Sequence, residues 1–167
     1  MLQENLIKIY EKSFREHRDL PALTDYTSKK TVTYGELARD IAKMHIIFKQ
    51  CGIKQGDKIA LLGKNTINWV TVFTATITYG AVIVPILSDF NPTDATHIIN
   101  HSEATLLFVG DRIWDSIEMD NLKHIRAAVS LESMKVIQER DNESFGSALR
   151  NISRRFRSAY PHGFSAN

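Results

Sequence analysis

The sequence is short of cysteine and of long apolar runs, and each shortage excludes a class of protein. Cys51 is the single cysteine among 167 residues, so the chain has no internal disulfide and no cysteine-based metal cluster. No apolar run approaches the roughly 20 residues that span a bilayer. Residues 1–20 alternate charged and apolar side chains at helical spacing, unlike the apolar core of a secretory signal. We therefore expect a cytoplasmic protein in which Cys51 is a small packing residue.

The chain also carries little net charge. The formal net charge is +2, which is too small to indicate nucleic acid binding, and 43% apolar with 24% charged residues is typical of a soluble globular domain. A local excess of arginine near the C-terminus leaves peripheral contact with an anionic membrane surface open. Apolar residues at helical spacing in the same segment favour a solvated helix face instead. The arginines are Arg150, Arg154, Arg155 and Arg157.

Glycine is too sparse for a phosphate-binding loop. The chain has 8 glycines, and none of its segments carries a glycine-rich dinucleotide pattern. Residues 60–66 read ALLGKNT, but a Walker loop requires glycine where Lys58 stands and a hydroxyl residue where Asn65 stands. We therefore predict a strand-to-helix corner in which Gly63 supplies a permissive backbone angle and Lys64 is solvated.

No other pattern identifies a catalytic, cofactor-binding or metal-binding residue. His97 and His101 are four residues apart on a predicted helix, but the glutamate of a zinc-protease motif and a third ligand are missing, so a solvent-facing or capping pair is predicted. Trp69 is predicted to pack in the core rather than to stack on a ligand. No nucleophile elbow occurs. Surface positions are predicted for the acidic residues Asp19, Asp25, Glu139, Asp141 and Glu143.

Four short apolar runs predict the sheet. Each is nearly continuous, as in strands that helices cover on both faces, and successive runs start about 21 to 25 residues apart. That spacing fits tight strand-helix-strand units with right-handed crossovers. The prediction is an α/β fold of three layers with a mostly parallel sheet. The runs are residues 59–62, 81–84, 106–109 and 127–129.

Capping residues mark the predicted helices between these strands. Thr33 and Glu36 have the spacing of a capping box, Asn65 or Thr66 precedes the next helix, and Thr93 is the predicted cap of a third. The helices are predicted over about 33–50, 66–80 and 93–103. Residues 22–25 and 31–33 predict a small N-terminal hairpin, and a single domain is expected over 1–160, followed by a linker-like tail over 161–167.

Four ordered segments resemble the N-terminal region of the AMP-forming acyl-CoA synthetases, most of all the long-chain fatty acid:CoA ligases. They are TYGEL at 33–37, GIKQGDKIA at 52–60, NTINW at 65–69 and YGAVIVP at 79–85. Their order and spacing agree with the family over about residues 31–111, and the sequence stops before the phosphate-loop motif.

The resemblance implies an enzyme that uses ATP, Mg²⁺ and coenzyme A to convert a fatty acid first to an acyl-adenylate and then to acyl-CoA. The family's catalytic motifs do not occur in this sequence, so no catalytic residue is carried over. We expect the chain alone to be inactive, to bind no cofactor tightly and to form at most a weak homodimer through exposed apolar surface. A free-standing, non-catalytic module that binds a nucleotide, an acyl chain or a partner is the alternative.

Overall fold

The computed structural model describes residues 5–141 and 143–151. In chain order its elements are α1 (Leu6–Glu16), β1 (Pro21–Thr24), β2 (Thr31–Thr33), α2 (Tyr34–Gln50), β3 (Lys58–Leu62), α3 (Ile67–Tyr79), β4 (Val82–Ile86), α4 (Pro92–Ser102), β5 (Leu106–Val109), α5 (Asp111–Trp114), a 3-10 helix (Met119–Asn121), β6 (Ala127–Ser130) and β7 (Val136–Glu139). Residues 145–151 are also helical. Three of the four C-terminal arginines, Arg154, Arg155 and Arg157, and the predicted boundary at 160/161 lie outside the described residues.

The main sheet has five strands in the order β4-β3-β5-β6-β7. The first four are parallel, and β7 pairs antiparallel with β6. Because the chain places β4 on one side of β3 and then returns to place β5 on the other, the direction of winding reverses at β3. All residues of β5 and β6 are buried, as expected for strands covered on both faces. β7 lacks a continuous apolar run, and its sequence pattern predicts no strand.

Two apolar cores lie on opposite faces of this sheet, which confirms the predicted three-layer α/β architecture. One involves α2 and α3 and includes the ring of Phe48, whose centroid lies 5.4 Å from that of Tyr79 and 6.5 Å from that of Phe108. The other involves α4, where Ile99 packs in a cluster with strand residues such as Leu62. No helix of the described segments is both long enough and apolar enough to cross a membrane.

Two helices begin at the capping residues that the sequence predicts. The Thr33 hydroxyl accepts a hydrogen bond from the Glu36 backbone N–H at 3.2 Å, and the Glu36 carboxylate accepts one from the Thr33 N–H at 2.8 Å, which completes the capping box of α2. Thr66 caps α3 by accepting from the backbone N–H of Trp69 at 3.2 Å. Helix α3 ends at Gly80, whose φ of 88° lies in the left-handed region that favours glycine.

The predicted cap of α4 is wrong by two residues. Asn91, not Thr93, is the N-cap, and its side-chain oxygen accepts a hydrogen bond from the Asp94 N–H at 2.9 Å. Pro92 occupies the first helical position, where its fixed φ suits the helix and its missing N–H costs no helical hydrogen bond. The cap therefore has to precede the proline.

The N-terminal hairpin is confirmed, with β1 and β2 pairing antiparallel. Asp25 fixes the turn between them, because its Oδ1 accepts hydrogen bonds from the Thr27 N–H at 3.0 Å and from the Ser28 N–H at 2.7 Å. These bonds, led by that from Ser28, lower the pKa of the Asp25 carboxyl. The turn is thus held in one conformation beside the main sheet.

Candidate functional site

An open crevice of about 740 Å³ lies where β3, β5 and β6 end. Lys64, Gly110 and Glu132 each come one or two residues after one of these strands and contribute to its lining. In doubly wound α/β sheets, ligands bind outside the carboxyl ends of the strands at the point where the winding reverses. This sheet reverses at β3, so the crevice has the position of a ligand site.

Gly63 lies beside the crevice, directly after β3, and its packing favours glycine for a reason that differs from the predicted one. Gly63 does not have a positive φ, so the expectation that it supplies a permissive backbone angle is wrong. A Cβ atom at Gly63 would instead lie 2.6 Å from Cδ1 of Leu131 and 3.5 Å from the backbone nitrogen of Gly110. A residue larger than glycine would have to displace the side chain of Leu131, from the loop after β6, whereas the backbone after β5 is at an ordinary contact distance.

Side-chain hydrogen bonds tie the walls together. The amide of Asn68, in the first turn of α3, donates to the Leu131 carbonyl at 2.6 Å, which joins α3 to the loop after β6. The Glu132 carboxylate in turn accepts from the backbone N–H of Asp111 at 2.9 Å, which joins that loop to the one after β5. These contacts preorganise the crevice, since a ligand would not have to order the loops on binding.

The lining is mixed in charge. Lys30, Lys64 and Arg112 supply three cations, and none of them has a carboxylate oxygen within 4.0 Å among the described residues. Asp25 and Glu132 also line the crevice, but both accept the backbone hydrogen bonds described above. Asp111 is the third acidic side chain of the lining, and Ile67, Ile113 and Leu131 provide apolar surface. Lys64 is exposed, as predicted for a solvated lysine.

The other positions considered from sequence lie away from this crevice. His97 and His101 are both exposed on α4, with ring centroids 6.0 Å apart, which confirms a solvent-facing pair. Trp69 is half-buried and stacks on Phe73 at 5.3 Å beside the α2/α3 core, as predicted. Cys51 is buried at the end of α2, and burial raises the pKa of its thiol to about 11, as suits a packing residue.

The surface interpretation of the acidic residues is wrong for two of them. The Glu143 carboxylate receives two hydrogen bonds from Arg126, at 2.8 Å from Nε and 2.7 Å from Nη2, and its side chain is mostly buried. Arg126 also donates to the Cys51 carbonyl at 3.1 Å. Glu139 lies in β7 and accepts from the Gly146 N–H at 3.1 Å. Through Arg126, Glu143 ties the chain after β7 to the end of α2, and Glu139 ties β7 to the helix over residues 145–151.

The fold and the crevice can now be compared with known proteins. The family described as AMP-binding enzyme matches residues 10–161 of the chain. The chain belongs to this family. The ordered segments that resemble acyl-CoA synthetases are therefore those of a family member.

Relatives within the family include acyl-CoA ligases from a plant and from a bacterium. "Long chain acyl-CoA synthetase 5" of Arabidopsis thaliana is 26% identical over 117 residues, which is 68% of this chain and 18% of that protein. "Putative acyl--CoA ligase YdaB" of Bacillus subtilis is 36% identical over 80 residues, 48% of this chain and 16% of the relative. This chain therefore spans less than a fifth of either protein.

Solved structures of adenylate-forming enzymes share the fold. The anthranilate CoA ligase AuaEII, in complex with anthranoyl-AMP, has a TM-score of 0.74 at 22% identity, covering 90% of this chain and 28% of its own. The N-terminal domain of FACL13 from Mycobacterium tuberculosis has a TM-score of 0.70 at 19% identity, covering 79% and 34%. The α/β architecture of this chain is thus that of the N-terminal subdomain of adenylate-forming ligases.

No site residue was predicted from the sequence: Lys64 and Asp25 were considered only as surface residues, and the crevice was not recognised. Asn68, Arg112 and Glu132 were not singled out, because each stands alone in sequence and belongs to no motif. The sequence does contain a signal for this site: charged residues follow the buried strands β5 and β6 within two or three positions, as Lys64 follows β3. The order of the strands in the sheet determines which strand ends lie together, and no local sequence pattern encodes that order.

Proposed function

We propose that this chain forms the N-terminal α/β part of an ATP-dependent long-chain fatty acid:CoA ligase. The family match over residues 10–161 is the observation that carries the proposal, and similarity to a long-chain acyl-CoA synthetase favours the acyl class. In the first step a carboxylate oxygen of the fatty acid bonds to the α-phosphorus of ATP and pyrophosphate leaves. In the second, the sulfur of coenzyme A bonds to the acyl carbon and AMP leaves.

The chain alone is proposed to be non-catalytic. Departure of pyrophosphate requires preorganised donors and a cation that screens the developing charge. Within the described residues no group of three or more His, Cys, Asp or Glu side chains is placed to hold a metal ion. We assign the chain a supporting and binding role.

The crevice is proposed to contact a phosphate-bearing substrate of the ligase. Lys30, Lys64 and Arg112 line it without carboxylate partners among the described residues, and Ile67 and Ile113 offer apolar surface to an organic group. Exposed cations contribute up to about 1 kcal/mol each to such a contact. Binding of ATP or coenzyme A to the chain alone is therefore expected to be weak.

Pyrophosphate exchange tests the catalytic part of the proposal. The purified chain, mixed with ATP, Mg²⁺ and a long-chain fatty acid, should incorporate no labelled pyrophosphate into ATP. Fatty-acid-dependent exchange would contradict the proposed inactivity. The mass of the endogenous protein, detected with an antibody against this chain, tests the rest: a species several times heavier than 19.0 kDa supports the ligase, and a 19.0 kDa species contradicts it.

The crevice also supports the second candidate, a free-standing binding module. Its walls are fixed by the Asn68 and Glu132 hydrogen bonds, as expected of a preformed site. Thermal shift with stoichiometric ATP, coenzyme A or fatty acid separates the two candidates. A tight ligand favours the module, and the absence of any shift favours the ligase part.

Association and location complete the proposal. Val82, Leu87 and Phe90 leave apolar surface exposed along β4 and the loop that follows it, which supports a weak homodimer. Light scattering across a concentration series should show reversible association, and a strictly monomeric protein would contradict it. We propose a cytoplasmic location. Peripheral membrane contact through the C-terminal arginines is the lesser alternative, and salt-sensitive binding to anionic vesicles tests it.

A further inference from the structure

Helix α4 carries two histidines on its outermost face. His97 and His101 are one turn apart, and both side chains are exposed, whereas Ala95 and Ile99 of the same helix are buried against the sheet. The two imidazole rings lie nearly parallel, at 8°, with centroids 6.0 Å apart. The helix therefore presents a side-by-side pair of imidazoles to solvent, on the face turned away from the core.

Both rings are available as ligands. Neither imidazole makes a hydrogen bond to any residue that the structure describes, and each ring contacts the other. His45 differs, because its Nε2 lies 3.0 Å from the Ala75 carbonyl oxygen and 2.9 Å from the Thr78 hydroxyl. A metal ion that binds His97 and His101 would therefore break no hydrogen bond between these side chains and the described residues, and only the contact between the two rings would change.

We propose that His97 and His101 chelate one divalent transition-metal ion, of the Zn²⁺, Ni²⁺ and Cu²⁺ class. This site goes beyond the proposed ligase function and does not depend on it. Residues at i and i+4 of a helix are neighbours on one face, and imidazole nitrogen is a preferred ligand of these ions. Exposed rings turn about their side-chain bonds, so one nitrogen of each is brought to the same ion. Water fills the remaining positions of the coordination shell.

The ligand set determines which ions compete. Mg²⁺ and Ca²⁺ prefer oxygen ligands, so neither should displace an ion held by two imidazoles. Cu²⁺ should bind more tightly than Ni²⁺ or Zn²⁺, in the usual order for nitrogen ligands. Acid should release the ion, because a protonated imidazole has no lone pair to donate. A bound ion also links two turns of α4 and should raise the melting temperature of the chain.

Calorimetric titration of the untagged full chain with NiCl2 tests the proposal. We expect one ion per chain, and at least a tenfold loss of affinity in each of His97→Ala and His101→Ala. Both substitutions are at exposed helical positions where alanine is favoured, so the fold should persist, and circular dichroism checks this. The control is a triple variant, His17→Ala/His124→Ala/His162→Ala, which should keep the wild-type affinity.

Two results would overturn the site. One is an unchanged affinity in His97→Ala or His101→Ala, which would place the ion elsewhere on the chain. The other is the absence of binding to the wild type up to millimolar Ni²⁺, Zn²⁺ and Cu²⁺. Retention on a nickel-charged column that persists in the triple variant and disappears in His97→Ala would support it independently.

Discussion

Strands β3 and β4 are neighbours of five residues each that pair in continuous register, yet their surroundings differ. Ile59 of β3 is completely buried, while its register partner Ile83 is half-buried and Val82 beside it is 47% exposed. Among the described residues, β3 has a strand on each side, and β4 has one only on the β3 side. Apolar sequence indicates that both segments belong to a sheet, and position in the sheet decides how much of each is buried.

The free edge of β4 also carries a proline. The Val82 N–H donates to the Asp57 carbonyl at 2.9 Å, toward the β3 side. Because alternate residues of a parallel strand direct their amides to the same side, the position of Pro85 faces away from β3. Proline therefore costs β4 no hydrogen bond to its neighbour, and it removes a donor from the open edge, which disfavours addition of a further strand.

The largest expected effect comes from truncating the two register partners. Ile59→Ala should lower the free energy of unfolding by about 2–5 kcal/mol, because it opens a cavity between two covered faces. Ile83→Ala should cost about half as much, since part of that side chain already contacts solvent. Urea unfolding of both variants measures the difference, and equal losses would contradict the contrast between inner and edge strands.

The next effect separates two glycines, of which Gly110 lines the crevice and Gly63 lies beside it. Gly63→Ala should destabilise the chain by about 1–3 kcal/mol, because its Cβ would lie 2.6 Å from Cδ1 of the buried Leu131. Gly110→Ala is the matched control. Its Cβ would meet no atom closer than 3.5 Å, and its φ of −66° suits any residue.

Thermal unfolding of the two variants gives the comparison. Gly110→Ala should be neutral or slightly stabilising, since alanine restricts the unfolded chain more than glycine does. If Gly63→Ala were as stable as Gly110→Ala, close approach of the Leu131 side chain would not explain the glycine after β3.

The same contrast explains which parts of the molecule the sequence predicted. The inner strands β3, β5 and β6 were predicted within about two residues, because burial on both faces requires a continuous apolar run. β7 was missed because an edge strand with half-exposed residues needs no such run. Crevice residues such as Arg112 were missed for a related reason: only strand order brings the separate loops together. The Asn91 cap was readable, since Pro92 marks the first helical position.

The chain near β7 differs from that near β4, because an ion pair joins Arg126, before β6, to Glu143, after β7. Glu143→Gln should cost about 1–2 kcal/mol, because it weakens two charge-assisted hydrogen bonds to Arg126 in a partly buried setting. Glu103→Gln is the control, since Glu103 lies 3.7 Å from Lys58 at an exposed position and should cost under about 0.5 kcal/mol.

Denaturation at low and high salt distinguishes the two pairs. The exposed Lys58–Glu103 pair should lose its small contribution at high salt, and the Arg126–Glu143 pair should retain most of its own. Equal losses of stability for Glu143→Gln and Glu103→Gln would contradict this prediction. They would mean that the Arg126–Glu143 pair stabilises the chain near β7 no more than an exposed ion pair would.

The smallest effect concerns the helices α2 and α3 on one face of the sheet. His45 of α2 lies against the Ala75 carbonyl of α3, and burial lowers the pKa of its imidazole, opposed by that hydrogen bond. Between the lowered pKa of the folded chain and the ordinary value near 6.5, the unfolded chain binds more protons. Stability should therefore be complete above about pH 6.5 and should decline as pH falls from there.

The His45→Gln variant distinguishes the loss of stability caused by protonation of His45 from the loss caused by protonation of carboxylates. His45→Gln keeps a donor toward Ala75 and removes the titration, so its stability should fall less between pH 7 and pH 5.5 than that of the wild type. Parallel slopes for the His45→Gln variant and the wild type would show that protonation is no harder in the folded chain, and that α2 and α3 do not exclude water from His45.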